Sequence, residues 1–310
     1  MLQSDLVFVG HTSIDTIKNL NGTRTQPGGA ALYASIAAKT LYSRVAMVTA
    51  IGLDYPYKDL IYRNFPPYGV KIVNLPSTRF RIEYDENWNA YYKLSAINAG
   101  LKLTVKEVLK PPLDKAGIVH LAPMTPAKVR RMVKALKGKN PKTLISINTC
   151  FNYLEKDPRN RRELKQAFKE ADISILSEHE LKLLVGPKPL TAAIRLIEAP
   201  MVVVTIGDVG ALIREGDEIF MVPALTGIVK KPVDTTGAGD TWCGAFIAAY
   251  RITGDPVKSA LAASVISALK CTGWNFERLL NLRFSSLDEV FEAASSYRSG
   301  GRQVTLLSFK

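Results

Sequence analysis

The sequence predicts a three-layer α/β/α fold in which helices cover both faces of a mainly parallel β-sheet. Continuous apolar runs, such as those at 7–9 and 202–204, are typical of strands that are buried on both faces. Amphipathic helical segments, such as the one around 128–136, separate these runs along the chain. This alternation predicts crossover connections, and ligands in such folds bind at the carboxyl ends of the strands.

Length and composition predict one soluble domain. A chain of 310 residues, 47% of them hydrophobic, can bury one large core, so we expect a single domain across residues 1–310. Charged residues make up 22% of the chain, which excludes a disordered or collagen-like protein. The three cysteines lie too far apart for a disulfide framework or a CxxC metal site. With no apolar run of ~20 residues and no signal peptide, we expect a cytoplasmic protein without a membrane partner.

The net charge of +13 raises the question of nucleic-acid binding. The basic residues at 128–137 alternate with apolar residues at helical spacing, which indicates the solvated face of a surface helix. No motif with base-reading geometry accompanies the charge. The sequence therefore disfavours a nucleic-acid partner.

One segment breaks the helix–strand alternation. Residues 79–84 and 90–94 alternate between polar and apolar side chains around the polar segment 85–89, which predicts a β-hairpin. We interpret it as a lid inserted at about 73–98, with a simple surface hairpin as the alternative. Its aromatic residues would give it an adhesive surface: Tyr84, Trp88, Tyr91 and Tyr92. We therefore expect a homodimer formed through the lid, the alternative being a monomer whose lid packs on its own chain.

The segment 234–240, Asp-Thr-Thr-Gly-Ala-Gly-Asp, carries the strongest chemical signal. Two glycines separated by a small residue expose backbone N–H groups at the start of a helix, where anions bind. Asp240 would then lie where a hydroxyl meets a phosphoryl group and could accept the hydroxyl proton. The alternative is a glycine turn in which Asp240 only caps the helix.

This segment resembles the C-terminal signature of the ribokinase-like (PfkB) family of sugar and nucleoside kinases. The glycine pair of that family is found in 27–31, Pro-Gly-Gly-Ala-Ala, and its first-strand pattern is found as Gly10 and Asp15 at the family spacing. Its nucleotide-side pattern T-x-G-x-x-G is found at 205–210. Order and spacing agree from about residue 6 to residue 276, so the resemblance covers nearly the whole chain.

The resemblance implies a ribokinase-like fold and ATP-dependent phosphotransfer to a hydroxyl of a small sugar, polyol or nucleoside. It implies that Asp240 is the catalytic base. The implied anion hole is formed by Gly237, Ala238 and Gly239. The implied acceptor-binding residues are Asp15, Gly28, Gly29 and Tyr33. The implied ATP-binding residues are Thr205, Gly207, Gly210 and Asn275.

The resemblance also implies cofactors. Phosphotransfer needs a divalent ion to neutralise the phosphates, so we expect Mg²⁺ to arrive with ATP. Glu180 matches the glutamate of the family motif N-x-x-E, which acts on metal-bound water. Some relatives bind a monovalent cation near the positions of Asp234 and Thr236.

Two positions depart from the family pattern. Ser177 replaces the asparagine of N-x-x-E, and Tyr33 stands where many members have an asparagine that contacts the sugar. The change at Tyr33 disfavours ribose itself as the acceptor. The segments 10–15 and 28–33 resemble the inositol kinase branch of the family, which points to a cyclic polyol such as myo-inositol. Ser177 and Tyr33 also leave open a catalytically silent ligand-binding or sensor protein on the same fold, which ligand-dependent ADP formation would exclude.

Overall fold

The computed structural model describes residues 5–296, which form a large sheet with helices on both faces and a smaller second sheet. In chain order the strands are β1 (Leu6–Val9), β2 (Ser13–Asn19), β3 (Gly22–Gly28), β4 (Val45–Gly52), β5 (Val70–Val73), β6 (Thr78–Tyr84), β7 (Ala90–Ala96), β8 (Ile118–Leu121), β9 (Leu144–Asn148), β10 (Ile173–Ser177), β11 (Met201–Thr205), β12 (Gly210–Glu215) and β13 (Glu218–Pro223). The α-helices are α1 (Ala30–Ala38), α2 (Lys58–Asn64), α3 (Val105–Val108), α4 (Pro126–Lys139), α5 (Phe151–Lys156), α6 (Pro158–Glu170), α7 (Glu178–Val185), α8 (Leu190–Arg195), α9 (Ala238–Thr253), α10 (Pro256–Cys271) and α11 (Leu287–Ser296).

The large sheet has nine strands in the order β13-β12-β11-β10-β9-β8-β1-β4-β5. All neighbouring pairs are parallel except β11–β12 and β12–β13, so the predicted, mainly parallel α/β architecture is confirmed. Alternate side chains of β1 enter two separate cores, Phe8 on one face and Val7 and Val9 on the other. This burial on both faces explains why the strand is a continuous apolar run.

Parallel strands of this sheet end along one edge. Gly10, Asn148, Ser177 and Thr205 lie at or directly after the carboxyl ends of β1, β9, β10 and β11. Loops that follow such strands form the ligand crevice in open α/β sheets. The fold thus brings together chain segments that are far apart in sequence.

The smaller sheet has four strands in the order β3-β2-β6-β7, and we call it the lid. The predicted hairpin is present as the antiparallel pair β6–β7, but sequence analysis missed the hairpin β2–β3 that joins it. The pair Asn21-Gly22 next to the β2–β3 turn is a hairpin signal that could have revealed it. Because β2 belongs to the lid, Asp15 lies beside Phe80 of β6.

The lid packs on the main body of its own chain. Ile17 and Ile82 form a small apolar cluster with Trp274, and the guanidinium carbon of Arg24 lies 4.7 Å from the Trp274 ring centroid. Asn19 Nδ2 donates a hydrogen bond of 3.0 Å to the Val233 carbonyl. These contacts give the sheet the apolar support that an isolated hairpin lacks.

Within residues 5–296, no helix combines the length and the apolar character that crossing a membrane requires.

Candidate active site

Two cavities meet at the N-terminus of α9, beneath the lid. The first has a volume of about 410 Å³ and the second about 690 Å³. Their shared wall is formed by Thr205, Thr235, Ala238 and Gly239. The lid lines both cavities, since Tyr92 faces the first and Trp88 the second. A group passing between ligands in the two cavities would therefore pass the start of α9.

The start of α9 has free backbone donors. Gly237 caps the helix with φ 71°, a left-handed conformation that glycine adopts readily. The Ala238 amide donates to the Thr235 carbonyl at 3.0 Å, whereas within residues 5–296 the amides of Gly239 and Asp240 meet no acceptor. Unpaired amides at a helix N-terminus attract anions. Of the three residues of the predicted anion hole, Ala238 therefore has its own amide occupied.

Asp240 is half-buried at the first cavity, in the first turn of α9. Burial raises the pKa of its carboxyl to about 6, and a hydrogen bond from Asn148 opposes this rise. Asn148 Nδ2 donates to Asp240 Oδ1 at 3.4 Å. A carboxylate with this pKa is ionised at neutral pH yet is a stronger base than an exposed aspartate.

Asp240 shares the first cavity with two carboxylates that are buried. Burial raises the pKa of Asp15 to about 7 and that of Glu180 to about 7. Among the described residues that line this cavity, none is a lysine or an arginine. The cavity therefore favours neutral, hydroxyl-rich ligands and cations over bare anions.

Asp15 and the glycine pair form one close-packed unit. Ser13 Oγ donates to Asp15 Oδ1 at 2.6 Å. A Cβ on Gly28 would lie 1.8 Å from Asp15 Oδ2, and Gly29 has φ 98°. A side chain at Gly28 would thus displace the carboxylate, so the glycine allows the backbone to approach it. Asp15 and Gly29 line the cavity, whereas Gly28 lies behind the carboxylate.

The ring of Tyr33 packs against the α9 loop at Gly237. The side chain is 1% exposed, and a Cβ on Gly237 would lie 2.5 Å from its ring. Its hydroxyl accepts hydrogen bonds from Asn275 Nδ2 at 2.9 Å and from Gln26 Nε2 at 3.3 Å. Tyr33, which the resemblance implied as an acceptor-binding residue, lines the first cavity, while its hydroxyl is engaged in the protein interior.

The contacts of Asn275 do not support its predicted ATP-side role. Its Nδ2 donates to the Pro27 carbonyl at 2.6 Å and its backbone N–H to Asp234 Oδ2 at 2.9 Å. It is 6% exposed and lines neither of the two cavities. The family resemblance implied an ATP-side role, but the hydrogen bonds of Asn275 join the glycine-pair loop to Asp234.

The three other predicted ATP-side residues line the second cavity: Thr205, Gly207 and Gly210. Gly207 has φ 56°, and a Cβ on Gly210 would lie 2.1 Å from the Val222 carbonyl oxygen. The turn between β11 and β12 therefore needs both glycines. Their placement beside the α9 amides fits a nucleotide whose terminal phosphate reaches the shared wall.

Glu180 and Ser177 form a capping box at the start of α7. The Ser177 amide donates to Glu180 Oε2 at 2.7 Å, and the Glu180 amide donates to Ser177 Oγ at 3.3 Å. Serine thus replaces the family asparagine without disturbing the helix start. Across residues 5–296, no cluster of three or more His, Cys, Asp or Glu could hold a metal ion by itself. The acidic cavity nevertheless fits a Mg²⁺ ion that arrives with ATP.

Sequence analysis missed an aromatic wall in the first cavity. The rings of Phe80 and Tyr92 have centroids 6.0 Å apart, and those of Tyr92 and Phe151 are 6.4 Å apart. All three residues line the cavity, two from the lid and Phe151 from the start of α5. Phe80 and Tyr92 belong to the alternating segments that predicted the hairpin. Phe151 follows a different strand, and no local sequence pattern predicts its place in the cavity.

Asn148→Ala is expected to move the acidic limb of the pH profile of kcat/KM upward from its position near pH 6. The substitution removes the hydrogen bond that lowers the pKa of Asp240, so a higher pH is needed to ionise Asp240. Turnover should fall more at pH 6 than at pH 8. An unchanged acidic limb, with an overall loss at every pH, would argue against this role for Asn148.

Comparisons with known proteins agree in the kind of protein they identify. The family model described as pfkB family carbohydrate kinase matches residues 3–274. The cytidine kinase of Thermococcus kodakarensis is 30% identical over 254 residues, which cover 79% of this chain and 88% of that protein.

Two solved structures share the fold. The nucleoside kinase of Burkholderia thailandensis in complex with inosine has a TM-score of 0.78 and 17% identity, with 96% of this chain and 100% of the other covered. The ribokinase of Cryptococcus neoformans in complex with ADP has a TM-score of 0.77 and 20% identity, with 94% and 99% covered. All of these are kinases, so the comparisons give no support to a silent sensor.

Proposed function

This chain belongs to the pfkB family of carbohydrate kinases, and we propose that its acceptor is a nucleoside, with cytidine as the first compound to test. As a member of this family it is an ATP-dependent sugar or nucleoside kinase. The finer assignment rests on the composition of the first cavity, which has a polar end and an aromatic end.

The two ends of this cavity match the two halves of a nucleoside. Asp15 offers a carboxylate to the hydroxyls of a ribose, and Gly29 lines the cavity beside it. Phe80, Tyr92 and Phe151 offer a flat, apolar surface on which a base can stack. A free pentose or myo-inositol carries hydroxyls but no flat ring for the aromatic end. The cavity volume of about 410 Å³ lies in the usual range for small-molecule sites.

The proposed mechanism uses the geometry at the shared wall. Asp15 holds the sugar so that one hydroxyl lies next to Asp240. Asp240 accepts the hydroxyl proton as the oxygen bonds to the γ-phosphorus of ATP, while the bond from that phosphorus to the β–γ bridging oxygen breaks and ADP leaves. The amides of Gly239 and Asp240 stabilise the negative charge on the transferred group. ATP occupies the second cavity beside Gly207 and Gly210, and Mg²⁺, held with the help of Glu180 through water, would neutralise its phosphates. The lid over both cavities excludes water as a competing acceptor.

A panel of acceptors tests this proposal. ADP release with Mg-ATP would be measured for cytidine, uridine, inosine, ribose, deoxyribose and myo-inositol. We expect kcat/KM to be at least about tenfold higher for a nucleoside than for either free sugar or for myo-inositol, because only the nucleoside uses the aromatic end. A preference for myo-inositol would instead support the cyclic polyol that the segments 10–15 and 28–33 indicated. A preference for ribose would show that the aromatic wall serves only to close the site.

Phe151→Ala is expected to raise the KM for the preferred nucleoside by about 5- to 150-fold, since stacking contributes about 1–3 kcal/mol per base. The KM for ribose should change little, because ribose does not reach the ring. Tyr91→Ala is the matched control, since Tyr91 is 50% exposed on the strand that carries Tyr92 and does not line the first cavity. Equal losses with ribose and with the nucleoside would contradict base stacking on Phe151.

A further inference from the structure

A lysine ammonium occupies the interior beside the α9 loop. Lys270 on α10 and Asp234 both have side chains that are 0% exposed, and Lys270 Nζ lies 3.4 Å from Asp234 Oδ2. Lys270 Nζ also donates to the Asp234 backbone carbonyl at 2.6 Å and lies 5.5 Å from the centroid of the Tyr33 ring. Carboxylate, carbonyl and ring face are all groups that attract a cation.

Both oxygens of the Asp234 carboxylate already accept hydrogen bonds. The Thr236 amide donates to Oδ1 at 2.8 Å. The Asn275 amide donates to Oδ2 at 2.9 Å, and Gln26 Nε2 donates to the same oxygen at 3.3 Å. A hard cation needs several oxygen ligands, and the neighbouring ammonium would repel it. Thr236 Oγ1 and Gln26 Oε1 are buried without a hydrogen-bond partner among the described residues, so it is the ammonium, and not a lack of oxygens, that makes this place unfit for the monovalent cation that the family resemblance implied.

We propose that Lys270 is a built-in cation that takes the place of a bound monovalent ion at this loop. Asp234 is followed directly by the residues that lead to Gly237, so its anchoring holds the amides of the α9 N-terminus in place. Lys270 is a positioning residue, since it lines neither cavity. The effect of Lys270 on phosphotransfer rests on the function proposed above, whereas its anchoring of the α9 loop through Asp234 does not.

Stability alone does not account for the burial of the Lys270–Asp234 ion pair. Burial lowers the pKa of the Lys270 ammonium, and the adjoining Asp234 carboxylate opposes that shift. A buried ion pair of this kind adds little net stability over an apolar pair of the same volume. Its use is instead to fix the loop in one arrangement, as a bound ion would.

The first experiment compares salts in the wild-type protein. Thermal unfolding and ADP release would be measured in potassium chloride, sodium chloride and choline chloride at equal ionic strength. We expect the same Tm and turnover within about twofold in all three, because the site already holds its cation. A saturable rise in Tm with potassium, or activation of about fivefold or more over choline, would overturn the proposal. The Tm measurement needs no acceptor, so it remains informative if the proposed function fails.

The second experiment removes the ammonium. Lys270→Ala opens the space that the side chain fills, and we expect its turnover in potassium chloride to exceed that in choline chloride by at least about fivefold. Lys270→Arg keeps a cation and should show no such salt response. Lys258→Ala is the control, since it removes an exposed lysine from the same helix. A salt response in Lys270→Ala no larger than that of the control would overturn the proposal, and if this variant does not fold, the wild-type comparison decides.

Discussion

Asp240→Asn is expected to lower kcat by about 10²–10⁴-fold, the range that a general base contributes. The amide has the same shape as the carboxylate and can still accept the hydrogen bond from Asn148, but it cannot take a proton from the acceptor hydroxyl. Binding of the acceptor should change much less than turnover. The measurement is the rate of ADP release with Mg-ATP and the acceptor that the panel identifies.

Folding of this variant should be preserved. Burial holds the pKa of Asp240 above its usual value, which means that the ionised carboxylate is disfavoured in the folded protein at neutral pH. The contribution of Asp240 to the free energy of unfolding falls as the pH rises towards and through about 6. An asparagine at this position has no charge to bury, so its contribution to the free energy of unfolding does not fall with pH. At pH 8 the Tm of the variant should therefore equal or exceed that of the wild type. Asp217→Asn, in an exposed turn, is the control for a charge change of the same kind. Residual turnover above about a tenth of the wild-type rate would show that another group acts as the base.

Gly237→Ala is expected to reduce both stability and turnover. An alanine at φ 71° costs about 1–2 kcal/mol, and its Cβ would lie 2.5 Å from the buried Tyr33 ring, which adds about 1–3 kcal/mol of overpacking. Relief of this contact must move either the ring or the α9 loop. Because a displacement of about 1 Å at a reacting group can cost 10²-fold, we expect a loss of about this size in kcat.

The other end of the same helix supplies the control. Gly254 caps α9 with φ 65°, yet a Cβ there would meet nothing within 4 Å. Gly254→Ala therefore carries the backbone strain of Gly237→Ala without its steric contact or its place beside the phosphate. The comparison is made by thermal unfolding and by ADP release. Equal losses of Tm in the two variants would show that Tyr33 does not confine the loop.

The sequence alone predicted the layers of the fold and the centre of the candidate site. Strands that are buried on both faces must be continuous apolar runs, so the parallel sheet can be predicted from local composition. The α9 loop is likewise local, because its left-handed cap and free amides belong to the consecutive residues 237–240. The β6–β7 hairpin followed from period-two alternation for the same reason.

Only the tertiary structure decided which distant side chains meet. Asn148 and Asp240 are 92 positions apart, Tyr33 and Asn275 are 242 apart, and no local pattern connects either pair. The sequence therefore left Asn148 without a role and placed Asn275 on the ATP side. In the sequence, Lys270 is an ordinary basic residue near the end of a helix. Only the folded structure shows that its charge is buried against Asp234. Local backbone geometry is set by neighbouring residues, whereas burial and charge pairing are set by the packing of the whole chain.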